Sequence, residues 1–284
     1  MQQKYPTSLI GLVVLAMTCI VGGDAAGKVL TGQGFSAYFV AWARFSVAVV
    51  VIAPFCGLQR AEMPMLIRWP VILRAALISV AIACILTALK TEPMANVFGG
   101  FFIGPVVAYF LSALVLGERI SFARTALLMV SFAGVLLVVK PGFGMTAGMG
   151  FAVLAGCLHG SYLVTTRWLA GDYRPRFLLF SQLAIGAVIL APMALGSLPP
   201  LTWAVAGLLA ISALGSAGGN FILVNVSRTT PAGVIAPLIY SQLLVAMVLG
   251  LVVFGDFPDG LSLIGLVVIA VAGVASVWFA GRGR

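Results

Sequence analysis

Long runs of apolar residues, separated by short polar connections, follow one another along the whole chain. A helix needs about 20 consecutive apolar residues to cross the hydrocarbon core of a bilayer, and the runs have about this length. A helix also satisfies the backbone hydrogen bonds of the segment inside lipid. The pattern therefore predicts an all-α integral membrane protein with ten transmembrane helices, at residues 8–30, 36–56, 70–89, 93–116, 121–139, 149–168, 177–195, 203–226, 232–254 and 261–279.

The composition points to the same class of protein. Hydrophobic residues make up 62% and charged residues 8% of the 284 positions, and the mean hydropathy is +1.17. So little polar surface could not cover a soluble protein of this size. The lipid bilayer is therefore the expected partner, and the net charge of +9 is attributed to membrane orientation rather than to nucleic-acid binding.

The basic residues predict the orientation. With the N-terminus inside, 12 of the 16 lysines and arginines fall on the cytoplasmic side, among them Arg68 and Arg74 near the start of helix 3. Only Lys28, Lys90 and Lys140 fall outside, as the positive-inside bias requires. Because the number of helices is even, both termini are expected in the cytoplasm. The predicted location is the bacterial cell inner membrane, as a multi-pass protein.

The two halves of the chain resemble each other. Residues of the first half recur 138 or 139 positions later, as in Thr91 and Thr229, Pro93 and Pro231, Leu111 and Leu249, Gly117 and Gly255, and Ala16 and Ala155. Because each copy has five helices, the second copy crosses the membrane in the opposite sense, as in many secondary transporters. The sequence thus predicts two inverted five-helix repeats, at residues 1–146 and 147–284.

The two copies differ where the side of the membrane requires it. The connection after helix 4 carries Arg119 and Arg124, whereas Phe257 and Ser262 occupy the corresponding positions after helix 9. The positive-inside bias explains this difference, because the first connection is predicted to face the cytoplasm and the second the outside.

One stretch carries a family resemblance. Residues 117–143, GERISFARTALLMVSFAGVLLVVKPGF, follow a helix that begins after Thr91-Glu92-Pro93. This arrangement resembles the drug/metabolite transporter (DMT) superfamily in its EamA-type ten-helix branch, over the whole chain. In size and layout it is similar to the YddG-like bacterial amino-acid exporters. The second copy departs from the pattern, with Gly255-Asp256-Phe257-Pro258 in place of a full Gly-Glu-Arg.

The resemblance implies a basket of ten helices with both ends in the cytoplasm. It also implies a central cavity lined mainly by helices 1, 3, 4, 6, 8 and 9, and outward movement of small metabolites. The expected substrate is an amino acid or a similar small molecule.

Two ionisable residues are predicted well inside the bilayer. Asp24 lies about 24 Å along helix 1 from Ser8, and Arg44 about 12 Å into helix 2, so both fall in the outer part of the membrane. An arginine can extend toward a nearby carboxylate. We expect Asp24 and Arg44 to be close, either as a structural pair or with a role in substrate binding or gating.

A further set of interior residues could contact a substrate. His159, the one histidine of the chain, falls near the middle of helix 6, with Tyr162 about one turn away. It is either a hydrogen-bonded core residue or a proton relay. The other polar candidates are Asn96, Tyr109, Asn220, Tyr240, Ser241 and Gln242. The aromatic candidates are Trp42, Phe98, Phe101 and Phe102, and each of these aromatic residues could instead face the core or the lipid.

Glycine and proline predict close packing and bends. The pairs Gly23 and Gly27, Gly100 and Gly104, and Gly215 and Gly219 have the spacing that lets membrane helices approach closely, although glycines on helix 4 could instead leave room for a ligand. Pro105 and Pro237 fall inside helices 4 and 9 and should kink them. Such kinks would direct freed carbonyl groups toward a cavity.

Enzyme and cofactor functions are not expected. Cys19, Cys56, Cys84 and Cys157 lack the spacing of a metal or disulfide motif, so no metal and no cofactor is predicted. The stretch GGDAAGKV, residues 22–29, has valine where a nucleotide-binding loop needs Ser or Thr, and it lies in an apolar helix. No residue set for catalysis is present either, and the protein is not expected to be an enzyme.

The sequence is therefore interpreted as an exporter of small metabolites, most of all amino acids including aromatic and apolar ones, that works by alternating access. Neutral interior residues and few buried charges suit a zwitterion better than a phosphate. The alternative is efflux of drugs or other cationic compounds, for which Asp24 would be the binding acid. A proton remains a candidate coupling ion through Asp24, Glu92 or His159, beside facilitated diffusion, and a monomer is compatible with this architecture.

Overall fold

The computed structural model describes residues 7–117, 120, 122–140, 144–196, 200, 202–229 and 238–282, and all regular secondary structure in them is helical. The helices are α1 (Thr7–Gly32), α2 (Ala37–Cys56), a 3-10 helix (Arg60–Ile67), α3 (Trp69–Thr91), α4 (Met94–Phe101), α5 (Ile103–Leu116), α6 (Phe122–Val139), α7 (Ala147–Leu169), α8 (Pro175–Leu195), α9 (Trp203–Thr229), α10 (Ser241–Phe254) and α11 (Gly260–Arg282).

These helices match the predicted membrane spans. Within the described residues, seven segments have the length and composition to cross a bilayer: Ser8–Gly32, Ala37–Cys56, Trp69–Thr91, Met94–Leu116, Ala147–Leu169, Pro175–Leu195 and Trp203–Leu223. The shorter apolar helices Thr125–Val139, Ser241–Phe254 and Gly260–Ala275 stand where the other three spans were predicted. The predicted all-α membrane fold is confirmed, with α4 and α5 sharing the fourth span.

The division of the fourth span follows from Pro105. A proline lacks the N–H group that would bond the carbonyl four residues earlier, and its ring collides with that carbonyl, here of Phe101. The helix accordingly breaks at Phe102, where φ is −68° and ψ is 3°. The predicted kink is therefore present. Pro237, the second predicted kink, lies outside the described residues.

The carbonyl freed by this break does not face a cavity. A Cβ atom added at Gly156 on α7 would collide with the oxygen of Phe101, and one added at Gly160 would collide with the oxygen of Gly104. The expectation that the kink would turn carbonyls toward an open space is therefore wrong. The two glycines of α7 let the broken fourth span lie directly against their backbone.

The repeated glycines at the ends of the fourth and ninth spans have a structural explanation. Gly117 follows α5 with φ of 67°, and Gly255 follows α10 with φ of 70°, so both end a helix in the left-handed conformation. A residue with a side chain adopts this conformation at a cost, which glycine avoids. Glycine is thus required at this position in both copies. The residues after it can differ in charge between the cytoplasmic and the outer side of the membrane.

The helices of one copy pack chiefly on those of the other. The closest pairs are α1 with α9, α3 with α7, α2 with α8, and α6 with α11, and α4 also contacts α10. Exchanging the two copies converts the α1–α9 pair into the α3–α7 pair. It leaves the pairs α2–α8, α6–α11 and α4–α10 unchanged. This is the packing expected of two repeats related by a pseudo-two-fold axis.

Small residues allow the closest of these contacts, as predicted for Gly23 and Gly215. A Cβ atom added at Gly23 would lie 2.8 Å from the Ser212 oxygen, and one at Gly215 would lie 2.7 Å from the Cys19 oxygen. The sixth and eleventh helices, α6 and α11, cross in the same way at Gly134 and Gly265. Helices in lipid gain no hydrophobic driving force from association, so this close backbone approach supplies the packing energy.

A substitution at the α6–α11 crossing tests this packing. A Cβ atom at Gly134 would lie 2.8 Å from the backbone oxygen of Gly265, so Gly134→Ala forces the helices apart. Overpacking of this kind costs about 1–3 kcal/mol, and we expect a lower midpoint in thermal unfolding of the detergent-solubilised protein. Gly207→Ala on α9, where nothing lies within 4 Å, should leave the midpoint unchanged or raise it. Equal midpoints for the two variants would contradict the role of this crossing.

Candidate functional site

An ion pair lies inside the membrane between α1 and α2. The Nη1 atom of Arg44 donates to Oδ1 of Asp24 at 2.6 Å, and both residues are only 5% exposed. The predicted proximity of these residues is confirmed. The Nε atom of Arg44 has no hydrogen-bond partner among the described residues. Because each charge neutralises the other, the pair brings no net charge into the membrane.

The second repeat has a neutral pair in the corresponding place. At the offset of 138 the positions after Asp24 and Arg44 are Tyr162 and Gln182, and at the offset of 139 they are Leu163 and Leu183; the polar pair is the one that bonds as the ion pair does. The Tyr162 hydroxyl donates to Oε1 of Gln182 at 2.7 Å, joining α7 to α8 as the ion pair joins α1 to α2. The repeat has therefore kept a side-chain bond between its first and second helices while replacing both charges.

A buried arginine completes this second pair. Arg74 on α3 is 3% exposed. Its Nη2 atom donates to the Tyr162 hydroxyl at 3.0 Å and to Oε1 of Gln182 at 2.9 Å. Its Nε atom donates to Oγ1 of Thr166 at 2.8 Å, and its Nη1 atom to the carbonyl of Leu178 at 2.8 Å. The guanidinium also lies 4.8 Å from the centre of the Tyr162 ring.

Sequence reasoning missed this arrangement, because it counted Arg74 with the basic residues at the cytoplasmic ends of the helices. The structure places it one and a half turns inside α3, in contact with two other helices. The offset of 138 was a usable signal, since it sets Tyr162 and Gln182 in the places of a buried ion pair.

The histidine adjoins this cluster through its ring. The centre of the His159 ring lies 5.7 Å from that of Tyr162 and 4.9 Å from that of Phe101. Tyr162 and His159 are both half-buried. Three of the predicted pathway residues, on α4 and α7, are thus brought together beside Arg74, and we name His159, Tyr162, Phe101 and Arg74 the arginine–aromatic cluster.

Two neutral polar groups on the facing helices lack partners. The Oδ1 atom of Asn96 on α4 and the Oγ atom of Ser241 on α10 are buried and have no hydrogen-bond partner among the described residues. Phe98, two residues after Asn96, is 1% exposed, and Gln242 is 8% exposed. Asn96 and Ser241 therefore remain able to accept a hydrogen bond from a bound molecule.

The remaining candidates point elsewhere. The Tyr109 hydroxyl lies 3.0 Å from Oγ1 of Thr125 on α6. The Tyr240 ring lies 4.9 Å from that of Phe102, and it occupies the space that a side chain at Gly273 would need. Both tyrosines thus contact neighbouring helices.

Trp42 and Asn220 are also engaged locally. The Trp42 ring lies 6.1 Å from that of Phe39 on the same helix, and the Asn220 amide donates to the Ser216 carbonyl of its own helix at 2.8 Å. Asn220 is exposed. Neither residue is brought to the arginine–aromatic cluster by a contact that the structure describes.

One face of the molecule, which we call the lysine face, is tied together by charged residues. The Nζ atom of Lys28 on α1 lies 2.7 Å from Oδ2 of Asp256, after α10, and donates to the Glu92 carbonyl, after α3, at 2.8 Å. Lys140 lies 2.6 Å from Oδ2 of Asp259. The Glu92 carboxylate also accepts a hydrogen bond from the Thr146 hydroxyl. These bonds join connections from both repeats across the same face.

The pKa of Asp259 reflects this closure. The hydrogen bond from Lys140 holds the pKa of the carboxyl well below its ordinary value, against the opposing effect of partial burial, and Ser262 adds further hydrogen bonds. Asp259 therefore stays ionised, and its link to Lys140 persists, at any physiological pH.

The opposite face, which we call the arginine face, is joined in a more limited way. Nη2 of Arg174, before α8, lies 2.6 Å from Oε2 of Glu62 in the 3-10 helix. Their hydrogen bond lowers the pKa of Glu62 and raises that of Arg174. This pair ties the connection after α2 to the connection after α7.

The described parts of the fourth and ninth spans pack together on the side of the lysine face. They meet at Phe102 and Tyr240, and from there to the lysine face α4 packs against α10. Beyond that level α5 packs mainly against α6 and α7. Leu238 and Ile239 pack instead with Leu9, Val13 and Val226 of α1 and α9. Among the described residues, the interior is therefore closed on the lysine face.

Two clefts open near the arginine face. One, of about 210 Å³, lies between α5 and α7 and is lined by Pro105, Ala108, Tyr109, Ser112, Leu163, Val164 and Arg167. The other, of about 370 Å³, lies where α3 begins and α7 ends, and is lined by Arg68, Trp69, Pro70, Trp168, Leu169, Asp172 and Tyr173. Tyr109, which bonds to α6, thus also borders the first cleft.

Within the described part of the chain, no three His, Cys, Asp or Glu side chains are grouped as metal ligands would be. Cys19, Cys56, Cys84 and Cys157 are free thiols. Among the described residues, the arginine–aromatic cluster and the acceptors of Asn96 and Ser241 are polar groups that could contact a small molecule.

Comparison with known proteins places the chain among transporters. The sequence profile of the EamA-like transporter family matches it twice, at residues 7–140 and 146–279. It is similar to the pseudopaline exporter of Pseudomonas aeruginosa, with 27% identity over 223 residues, 77% of this chain and 76% of that protein. It is also similar to the S-adenosylmethionine uptake transporter of Rickettsia bellii, with 25% identity over 272 residues, 92% of this chain and 90% of that protein.

A solved crystal structure shares the fold. It has a TM-score of 0.65 and 17% sequence identity, and the alignment covers 99% of this chain and 100% of that one.

Exchanging the charges of the buried pair tests whether it is structural. Asp24→Arg or Arg44→Asp alone leaves like charges buried together, and loss of one partner of such a pair costs about 3–5 kcal/mol. We expect both single variants to lower the unfolding midpoint in detergent and the double exchange to restore most of it. Asp172→Asn, at an exposed acid, serves as the control. A double exchange no more stable than the worse single variant would contradict the structural role.

Proposed function

This chain belongs to the EamA-like transporter family, and from that premise we propose that it exports amino acids and similar small metabolites across the bacterial inner membrane by alternating access. A small-metabolite substrate agrees with the names of the relatives, one an exporter of pseudopaline and another an uptake transporter of S-adenosylmethionine. In this proposal the repeats 1–146 and 147–284 are the two halves that move.

The observation that carries the proposal is the closure of the lysine face. On the lysine face, Lys28 connects α1 to the segments after α3 and α10, so three of the spans expected around the cavity are held together. Toward the arginine face, α5 packs mainly against α6 and α7, and Leu238 and Ile239 pack with α1 and α9. A transporter with inverted repeats exposes its site to one side at a time, so closure of the lysine face supports a state that opens toward the arginine face.

The charge distribution supports the direction of opening. Under the positive-inside bias the arginine face lies in the cytoplasm, together with both termini, and the lysine face lies outside. The proposed opening is then to the cytoplasm, the side from which an exporter takes up its substrate. Pro105, at the break between α4 and α5, is the proposed hinge of the fourth span.

The interior groups suit a small zwitterion. Asn96 and Ser241 offer acceptors for an ammonium group, and Phe101 and His159 offer apolar and aromatic surface for a side chain. Efflux of a cationic compound would need an acid that is free to bind the cation. Asp24, the acid suggested from the sequence for this role, is buried and its charge is neutralised by Arg44.

Transport by the purified protein tests this proposal. Proteoliposomes containing the protein should release labelled phenylalanine or threonine faster than empty liposomes, and an excess of unlabelled amino acid should compete. A cationic dye should compete weakly. Measuring with and without a pH gradient decides between proton antiport through Asp24, Glu92 or His159 and facilitated diffusion. Transport of the dye without any amino-acid flux would contradict the proposal.

A second experiment tests the closed face. Lys28→Gln removes the ion pair with Asp256 and the bond to the Glu92 carbonyl, so the outward-open state should become easier to reach. We expect the rate of exchange across the membrane to change by about threefold or more, since one partly buried pair contributes about 1 kcal/mol. Lys90→Gln, an exposed lysine of the same face, is the matched control and should alter the rate less than twofold. Equal rates for the two variants would contradict a gating role for Lys28.

A further inference from the structure

Arg74 carries a positive charge that no acid neutralises within the described residues. Asp24 is bonded to Arg44, Glu62 to Arg174, Asp256 to Lys28 and Asp259 to Lys140. Glu92 bonds to Thr146 on the lysine face, and Asp172 is exposed in the turn after α7. The acceptors around Arg74 are two hydroxyls, an amide oxygen and a backbone carbonyl, all of them neutral.

These four bonds satisfy the geometry of the guanidinium but leave its charge uncompensated. A buried charge is costly unless it is paired, and charged residues inside membrane spans are functional candidates for that reason. An arginine held only by neutral acceptors is therefore poised to bind an anion.

The repeat strengthens this reading of the charge. In the first copy Arg44 is matched by Asp24, whereas the second copy has Gln182 and Tyr162 at those positions and receives its arginine from α3. The position that corresponds to Arg74 is Ser212, whose hydroxyl donates to the Gly23 carbonyl at 2.8 Å. An acid at position 162 would have reproduced the neutral arrangement of the first copy. The second copy instead presents a hydroxyl to a free positive charge.

The cluster is also placed where a substrate could reach it. Tyr162 and Gln182 are half-buried, so the side of Arg74 that they cover is the less enclosed one. Tyr162 adjoins His159, whose ring adjoins Phe101 on α4. Under the family layout, α3, α4 and α7 are the third, fourth and sixth spans and border the central cavity.

We propose that Arg74 and Tyr162 form the subsite that binds the carboxylate of the transported metabolite. This inference rests on the proposed function and narrows it to substrates that bear a carboxylate. The incoming carboxylate takes the place of the Gln182 amide oxygen, accepting the N–H of Nη2 that Gln182 releases and the hydroxyl hydrogen of Tyr162. One oxygen of the carboxylate then contacts Arg74 and the other Tyr162, while Nε and Nη1 keep their bonds to Thr166 and Leu178 and hold the guanidinium in place.

The test compares substrates with and without the carboxylate. Proteoliposomes are loaded with labelled phenylalanine, phenylalaninamide or phenethylamine, which share the ring and amine. The wild-type protein should export phenylalanine best. Arg74→Gln should lower phenylalanine flux about 10- to 100-fold, the range for a charge-assisted contact, and lower phenethylamine flux less than threefold. Arg74→Lys, which keeps the charge without the fixed planar guanidinium, should fall between the two.

Two controls separate binding from folding. Arg68→Gln removes one positive charge from an exposed residue just before the same helix and should leave phenylalanine flux within twofold of the wild type. Phenylalanine should also raise the unfolding midpoint of the wild-type protein in detergent, and it should fail to do so for Arg74→Gln.

Each other outcome has a distinct meaning. Equal loss of phenylalanine and phenethylamine flux in Arg74→Gln, or no loss of either, would overturn the carboxylate subsite while leaving amino-acid transport in place. Wild-type protein that exports phenethylamine but neither moves nor is stabilised by phenylalanine would overturn the proposed function itself.

Discussion

A charge placed inside a bilayer must find a partner, and this requirement organises the interior of the protein. Asp24 and Arg44 meet it by bonding to each other between α1 and α2. Arg74 meets only half of it, because its hydrogen bonds are satisfied and its charge is not. The difference separates a pair that holds two helices together from a residue that can hold an anion in transit. In a chain with so few charged residues, these three side chains set most of the electrostatic character of the membrane interior.

The two repeats share a framework and differ in chemistry. Glycine ends both the fourth and the ninth spans because the chain turns there with positive φ, at Gly117 and Gly255. Close contacts of small residues then set helix against helix between the copies. On this common framework an ion pair in one copy is replaced by Tyr162 and Gln182 in the other. The symmetry supports movement of one half against the other, and the departure from symmetry supplies a site that differs between the halves.

Much of the fold could be predicted from the sequence, because the length and period of apolar runs depend on the bilayer alone. The proximity of Asp24 and Arg44 followed from helix rise and from the cost of burying either charge alone. The directions in which Tyr109 and Tyr240 point could not be predicted, since they depend on which neighbouring helix leaves space, at Thr125 in one case and Gly273 in the other. Arg74 was missed because depth along a helix does not reveal the neighbours of a residue near its end.

Alternating access requires the lysine face and the arginine face to open in turn. Distances between paired spin labels in proteoliposomes measure this directly, with one pair at Gly32 and Phe257 on the lysine face and another at Ile10 and Leu114 toward the arginine face, in a background without the native cysteines. Without substrate the first distance should be short and the second long. As transported amino acid is added, a population should appear in which the first is longer and the second shorter. Distances that stay fixed in both pairs, or that lengthen together, would contradict alternating access.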